Sequence, residues 1–329
     1  MQVRVCDCIR DVAAEKCFRM STIDHNAIIF VGGPGQSILR KAAGHPVCLL
    51  PVPGKSSLLH SWIDALRGNT GVRSISVVTG RAEDVQLLKD HVDSLEAARD
   101  FEVTIHADKA LHRGTAGALK DFIGRQSGFD EILFIEGNRV PPEYPKSLFC
   151  DDFMSEDVAA VLGKSSQSET AGVILMKREI LDLVPELGFF DFKEQLIPRV
   201  LESGMRILVK EITHRSVRFS TPSTYLKQLT DYMLSKTCDA TGPFVSDSAN
   251  VDPSTVLGAN VIVGENVTIK GGCLVQDSVI LDGCEIGADS TLVRSIVTRN
   301  SVIEDGTSSV IDPYDLDAPG SQLNKGGLV

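Results

Sequence analysis

Three things are scarce in this chain: positive charge, paired cysteines and long apolar runs. Acidic residues outnumber basic ones 44 to 33 and the net charge is -11, so a polyanion is repelled by the molecule as a whole rather than drawn to it. That excludes non-specific binding to nucleic acid or to an anionic bilayer, and leaves room for a local basic pocket only. No apolar stretch approaches the roughly 20 residues that span a bilayer, and the start carries no cleavable signal pattern. The expected setting is therefore the cytoplasm, with no membrane and no nucleic-acid partner. The eight cysteines, Cys6, Cys8, Cys17, Cys48, Cys150, Cys238, Cys273 and Cys284, form no CxxC pair and no zinc-like spacing. Free thiols are the simplest reading, with Cys6, Cys8 and Cys17 left as a metal-binding alternative.

What is present is enough for two domains: 329 residues, 43% of them apolar. The stretch from Ala27 to Ser57 organises the first. Ile28-Ile29-Phe30-Val31 reads as a buried strand and passes at once into Gly32-Gly33-Pro34-Gly35. Without Cβ atoms, successive backbone N–H groups there can meet a phosphate oxygen closely; a plain strand-to-loop turn has the same composition. Strands then alternate with helices. Leu58 to Arg67 and Glu83 to Ala98 have helical spacing; Ser74 to Thr79, Phe101 to Ile105 and Glu131 to Ile135 read as strands. Between them Arg113-Gly114-Thr115-Ala116-Gly117 forms a second glycine turn before a helix, and the fourth strand ends at Glu136-Gly137-Asn138. This order predicts a mostly parallel sheet covered on both faces, with its ligand site beyond the carboxyl ends of the strands.

From Val251 branched apolar residues recur every six positions: Val251, Leu257, Val263, Ile269, Val275 and Leu281. Ile286 and Leu292 resume the rhythm after one shortened step. That period fits neither helix nor hairpin; it predicts a parallel β-helix of about three coils with glycines such as Gly258, Gly264 and Gly287 at corners.

The ordered motifs Gly-Gly-x-Gly, Leu50-Pro51-Val52-x-Gly54-Lys55, Gly114-Thr115-Ala116-Gly117-Ala118, Gly137-Asn138, Ala171-Gly172-Val173 and Thr221-Pro222-x-x-Tyr225-Leu226 resemble those of the sugar-1-phosphate nucleotidyltransferases. The resemblance implies a Rossmann-like α/β domain with a mixed, mostly parallel sheet, followed by a left-handed parallel β-helix that commonly supports oligomer contacts. The boundaries expected are an extension over 1–19, the nucleotidyltransferase-like domain over 20–236, the β-helix over 237–310 and a flexible tail over 311–329. It further implies nucleotide binding at Gly32, Gly33, Gly35, Gly114, Thr115 and Gly117.

The family joins a sugar 1-phosphate to a nucleoside triphosphate, and the charge crowded into that step calls for magnesium and basic side chains. Here the pattern departs. The phosphate-binding arginine after the glycine loop is replaced by Ser37, the phosphate-binding lysine by Val47, and the two metal-binding aspartates by Asn138 and Arg218. The sugar-binding Glu-Lys motif has no counterpart between Leu162 and Ala171. Glu136 and Asn138 remain as metal candidates, for magnesium if the protein is active, and Arg113 and Arg218 as anion contacts. Arg40, Lys41, His45, Lys55 and Arg113 are cations near the glycine turns, each read first as a solvated loop charge, and His214 and Arg215 beside Arg218 form a small basic cluster kept as a candidate anion contact. Three readings stay open. One is a non-catalytic nucleotide or sugar-nucleotide binder, assembling with itself or with a catalytic relative; the others are an active transferase with a rearranged site, and a scaffold without a small ligand.

Overall fold

The computed structural model describes residues 25–32, 38–52, 55–67, 71–108, 112–126, 128, 130–143, 145–235, 242–258, 260–311 and 328. The extension over 1–19, with its three cysteines, lies outside them.

The first domain is built on a seven-stranded sheet. Its strands are β1 (His25–Phe30), β2 (Val72–Thr79), β3 (Glu102–Ala107), β4 (Glu131–Glu136), β5 (Val158–Ser165), β6 (Thr170–Lys177) and β7 (Arg206–Thr213), in the order β3-β2-β1-β4-β6-β5-β7. Every neighbouring pair is parallel except those made by β6, which runs against both β4 and β5. β5 turns back into β6 within residues 166–169, so nothing larger is inserted there. The central strands β1 and β4 carry apolar runs because the sheet is covered on both faces.

One face is covered by α1 (Ile38–Ala43), α2 (Leu58–Leu66), α3 (Asp84–Ser94) and α6 (Pro222–Ser235), the other by α4 (Gly114–Ile123) and α5 (Ile197–Glu202). α2 starts where Ser57 Oγ accepts the His60 N–H at 2.9 Å, satisfying a donor that the first helical turn leaves unpaired. Leu58, Leu59, Trp62, Ile63 and Leu66 form its buried stripe. Trp62, the only tryptophan in the chain, is fully buried and donates its indole N–H to the Arg139 carbonyl at 2.6 Å. The helix expected from Glu83 to Ala98 divides in two: α3 ends at Ser94, whose hydroxyl bonds back to the His91 carbonyl, and a 3-10 turn follows over Glu96–Asp100.

The second domain is the expected left-handed parallel β-helix. Its short strands, from Phe244–Val245 to Ser308–Val310, stack in three four-stranded parallel sheets. Four coils form rather than three. Ile262 pairs with Phe244, eighteen residues earlier, whereas Val279 pairs with Ile262, seventeen earlier. The residue is dropped at the corner beside Asp277, whose φ is +48. The shortened step therefore precedes Ile280, and it is Ile280 that packs inside the coil with Val275 and Ile286. Leu281, expected inside, instead joins Ile262, Val279 and Ile296 in the apolar cluster shared with Leu49, Leu50 and Tyr225 of the first domain. One face of the β-helix is thus docked on the α/β domain, and burial of such side chains contributes about 1.5–3 kcal/mol each.

Of the tail expected to be flexible, Ile311 and Leu328 are described. Leu328 is buried and bridges antiparallel to Val297. The described cysteines Cys48, Cys150, Cys273 and Cys284 are all free thiols. Among the described residues no helix is long and apolar enough to cross a membrane.

Candidate functional site

A cleft of about 290 Å³ opens at the carboxyl ends of β1, β2 and β4, the position where open α/β sheets hold ligands. Val31 and Gly32 line it from β1, Thr79 to Arg81 from β2, and Glu136, Gly137 and Asn138 from β4; Val47 and Cys48 supply an apolar wall. Gly137 sits so close to β1 that a Cβ would lie 2.8 Å from both Ile29 and Val31 side chains. Its N–H donates to the Phe30 carbonyl at 2.8 Å, extending the β1·β4 ladder to the cleft mouth. Beside it the 217–219 segment runs as a short extra ladder: Phe219 N–H donates to the Asn138 carbonyl at 2.8 Å and Val140 N–H to the Val217 carbonyl at 3.0 Å. That places Arg218 on the rim.

The carboxylate of Glu136 is fully engaged. Arg139 Nε donates to Oε2 at 2.7 Å and Lys193 Nζ to Oε1 at 3.0 Å. Burial alone would raise its pKa, but the Arg139 hydrogen bond and the Lys193 charge outweigh it and hold the group below its ordinary value. Arg139 reaches on to Ser216 Oγ at 2.7 Å. It can lie there because Gly172, at φ +72, has no side chain: a Cβ would stand 2.3 Å from Arg139 Cδ. On the opposite wall Arg40 binds Asp84 at 2.8 Å, and Thr79 Oγ1 donates to the same carboxylate at 3.1 Å. Cys48 is buried and its thiol is pushed up by burial and then by Asp84, so it stays protonated and inert. Among the described residues no group of three or more His, Cys, Asp and Glu side chains could hold a metal ion.

Residues 241–310 match the family model of the GMPPB C-terminal domain. Probable mannose-1-phosphate guanylyltransferase 3 of Oryza sativa subsp. japonica is 23% identical over 319 aligned positions, covering 84% of this chain and 85% of that protein. Mannose-1-phosphate guanylyltransferase 1 of Arabidopsis thaliana matches at 23% with the same coverage. Glucose-1-phosphate adenylyltransferase of Bacillus thuringiensis (strain Al Hakam) is 35% identical over 72 residues, 20% of this chain and 19% of that protein. The chain is a relative of the sugar-1-phosphate nucleotidyltransferases that carry a C-terminal β-helix.

Several residues expected in the nucleotidyltransferase site fall elsewhere. Gly33, Gly35 and Ser37 lie outside the described residues; Gly32 lines the cleft with open space at its Cβ position. The second glycine turn is not a turn before a helix but the start of α4 itself. Its backbone donors face protein: Ala116 and Gly117 N–H both donate to the Phe190 carbonyl, at 3.1 and 3.2 Å, and a Cβ on Gly114 would lie 2.5 Å from that oxygen. Thr115 alone of this motif lines the cleft. Arg113 is likewise withdrawn from any anion. It is buried, forks onto Asp121 at 2.9 and 3.1 Å, and donates to the Gly188 and Pro185 carbonyls at 2.6 and 2.9 Å.

The other cations divide by position. Arg40 is no solvated loop charge, since it is held against buried Asp84 in the cleft. Lys41 is exposed on α1, and exposed His214 and Arg215 do not line the cleft. Lys55 pairs with Asp64 in a second cleft of about 850 Å³ between the α/β domain and the β-helix. His45 is buried with Nδ1 donating to the Pro46 carbonyl at 3.0 Å; burial, then Arg299, lowers its pKa to about 4. Arg139 and Lys193, which decide the state of Glu136, carry no motif that marks them in the sequence; only the folded sheet brings them together.

Proposed function

We propose that this nucleotidyltransferase-like protein is non-catalytic: it holds a nucleotide or sugar nucleotide in the cleft at the ends of β1, β2 and β4, and acts in the cytoplasm as a regulatory or assembly subunit. The observation that carries this is Glu136. Both of its oxygens are occupied by cations of the protein itself, and its neighbour Asn138 offers a neutral amide, so the place for a catalytic divalent ion is already neutralised. Val47 puts an apolar side chain on the wall where the family's lysine is expected. Losing one such charge-stabilising contact lowers turnover roughly a hundredfold. The names of the relatives, mannose-1-phosphate guanylyltransferases, make a guanine sugar nucleotide the first ligand to try. Assembly with itself or a catalytic relative is supported by apolar side chains exposed on the coils, among them Val256, Leu274, Val302 and Val310.

The test is a thermal-shift and calorimetric panel of nucleoside triphosphates and NDP-sugars, with and without magnesium, beside an assay of pyrophosphate release. A ligand at about 100 times its dissociation constant stabilises the fold by roughly 2.7 kcal/mol. Binding without turnover is the expected result. Magnesium-dependent release of pyrophosphate from a triphosphate and a hexose 1-phosphate would overturn it in favour of an active transferase, and no shift with any ligand would favour a scaffold.

A further inference from the structure

The charges lining the cleft differ in whether the protein itself pairs them. Arg40 is engaged by Asp84 at 2.8 Å, Arg81 by Glu83 at 2.5 Å, and Glu136 is closed off by Arg139 and Lys193. Arg218 differs: among the described residues its guanidinium has no ionic partner, and it is exposed where it lines the cleft. Its backbone, though, is strapped. Arg218 bridges Arg139, and on either side of it the Phe219 N–H holds the Asn138 carbonyl at 2.8 Å and the Val217 carbonyl takes the Val140 N–H at 3.0 Å. The backbone that carries the charge is therefore held at a fixed point, next to Gly137 and Asn138 at the end of β4. In a chain with net charge -11, an unmatched cation on a cleft rim recruits an anion.

We infer that Arg218 is a tethered stand-in for a divalent metal ion: it meets the diphosphate of a nucleoside diphosphate or NDP-sugar, and the cleft binds that anion without metal. This rests on the nucleotide reading of the cleft. A guanidinium presents a planar fork of N–H donors that matches two phosphate oxygens. It supplies one charge where magnesium supplies two, and it coordinates no attacking oxygen. Such a site holds a diphosphate without drawing a second phosphate onto it, which is binding without transfer.

The experiment is titration calorimetry of the full chain with guanosine diphosphate, adenosine diphosphate and uridine diphosphate, each in excess magnesium and in EDTA. The expected result is a diphosphate bound with the same affinity in both. R218A should weaken it about 10- to 100-fold in both buffers, the range for a hydrogen bond to a charged group, and R218K should recover part. R218D should bind only when magnesium is present, because its carboxylate and the diphosphate then share the ion. Magnesium-dependent binding by the unaltered chain, R218A binding as tightly as the unaltered chain, or R218D equally weak in both buffers would each overturn the inference while the nucleotide site stands. Failure of every diphosphate to bind the unaltered chain would remove the nucleotide reading and this inference together.

Discussion

Replacing Arg113 with alanine separates a structural arginine from a ligand-binding one. The side chain donates four hydrogen bonds, two to Asp121 and one each to the carbonyls of Gly188 and Pro185. Its own exposure is 9% and that of the Asp121 side chain is 21%. Removing one partner of a buried pair costs about 3–5 kcal/mol, because the other charge is left without compensation. Water reaches Asp121 in part, so the lower end applies, about 3 kcal/mol. For a domain of this size each kcal/mol moves the midpoint by roughly 2–4 °C, so R113A should melt about 6–12 °C below the unaltered protein by differential scanning calorimetry. R113K should recover little, since a single ammonium cannot span Asp121 and two carbonyls at once. Nucleotide affinity per folded molecule should be unchanged. A melting point within 2 °C of the original, together with lost affinity, would refute the argument and return Arg113 to the anion site.

Three further outcomes follow from the same geometry. G114A should destabilise by about 2 kcal/mol or more in thermal melts, because it forces a Cβ into a φ of +71 and against the Phe190 carbonyl. Glu136 is held below its ordinary value of 4.5, so its contribution is complete above that pH and is lost as the pH falls through the native value. Acid unfolding followed by circular dichroism should accordingly be steeper below pH 4.5 in the unaltered protein than in E136Q. His45 and His91 are lowered from 6.5 to about 4, first by burial and then by Arg299. Both are neutral in the fold and protonate more readily when unfolded, so stability is full above pH 6.5 and declines toward pH 4, on the order of 3 kcal/mol for each histidine. H45Q and H91Q should each flatten that slope in urea titrations run at stepped pH.

What was legible in the sequence was periodic or local. The six-residue rhythm of Val263, Ile269 and Val275 announces the β-helix because each short strand sends one side chain inward at a fixed interval. The same rhythm misplaces Leu281, since a residue lost at a corner changes the phase without changing the composition. The alternation of apolar strands with α2 and α3 likewise predicts the sheet. The glycines of α4 mislead for another reason: Gly114 and Gly117 look like a nucleotide-binding turn, but Gly114 makes room for the backbone of Phe190, more than seventy residues away, and the Gly117 N–H donates to the carbonyl of the same residue. Arg113 misleads in the same manner, because its partners Pro185 and Gly188 are set by packing. Glu136 reads as a free carboxylate until β4, Gly172 and the segment carrying Lys193 converge. The histidines at the domain junction depend on Arg299 and Asp282, which reach them only once the coils dock.

The burial of Trp62 has an optical consequence. With one indole in 329 residues, all the tryptophan emission of the chain comes from a single dry position, and its N–H is tied to the carbonyl of Arg139, the residue whose side chain closes off Glu136. A molecule seated at the end of β4, beside Asn138, should change the field at that indole through the Arg139 peptide unit. The protein therefore carries its own unlabelled reporter, and occupancy of the cleft can be followed in a fluorimeter with no dye or substituted residue.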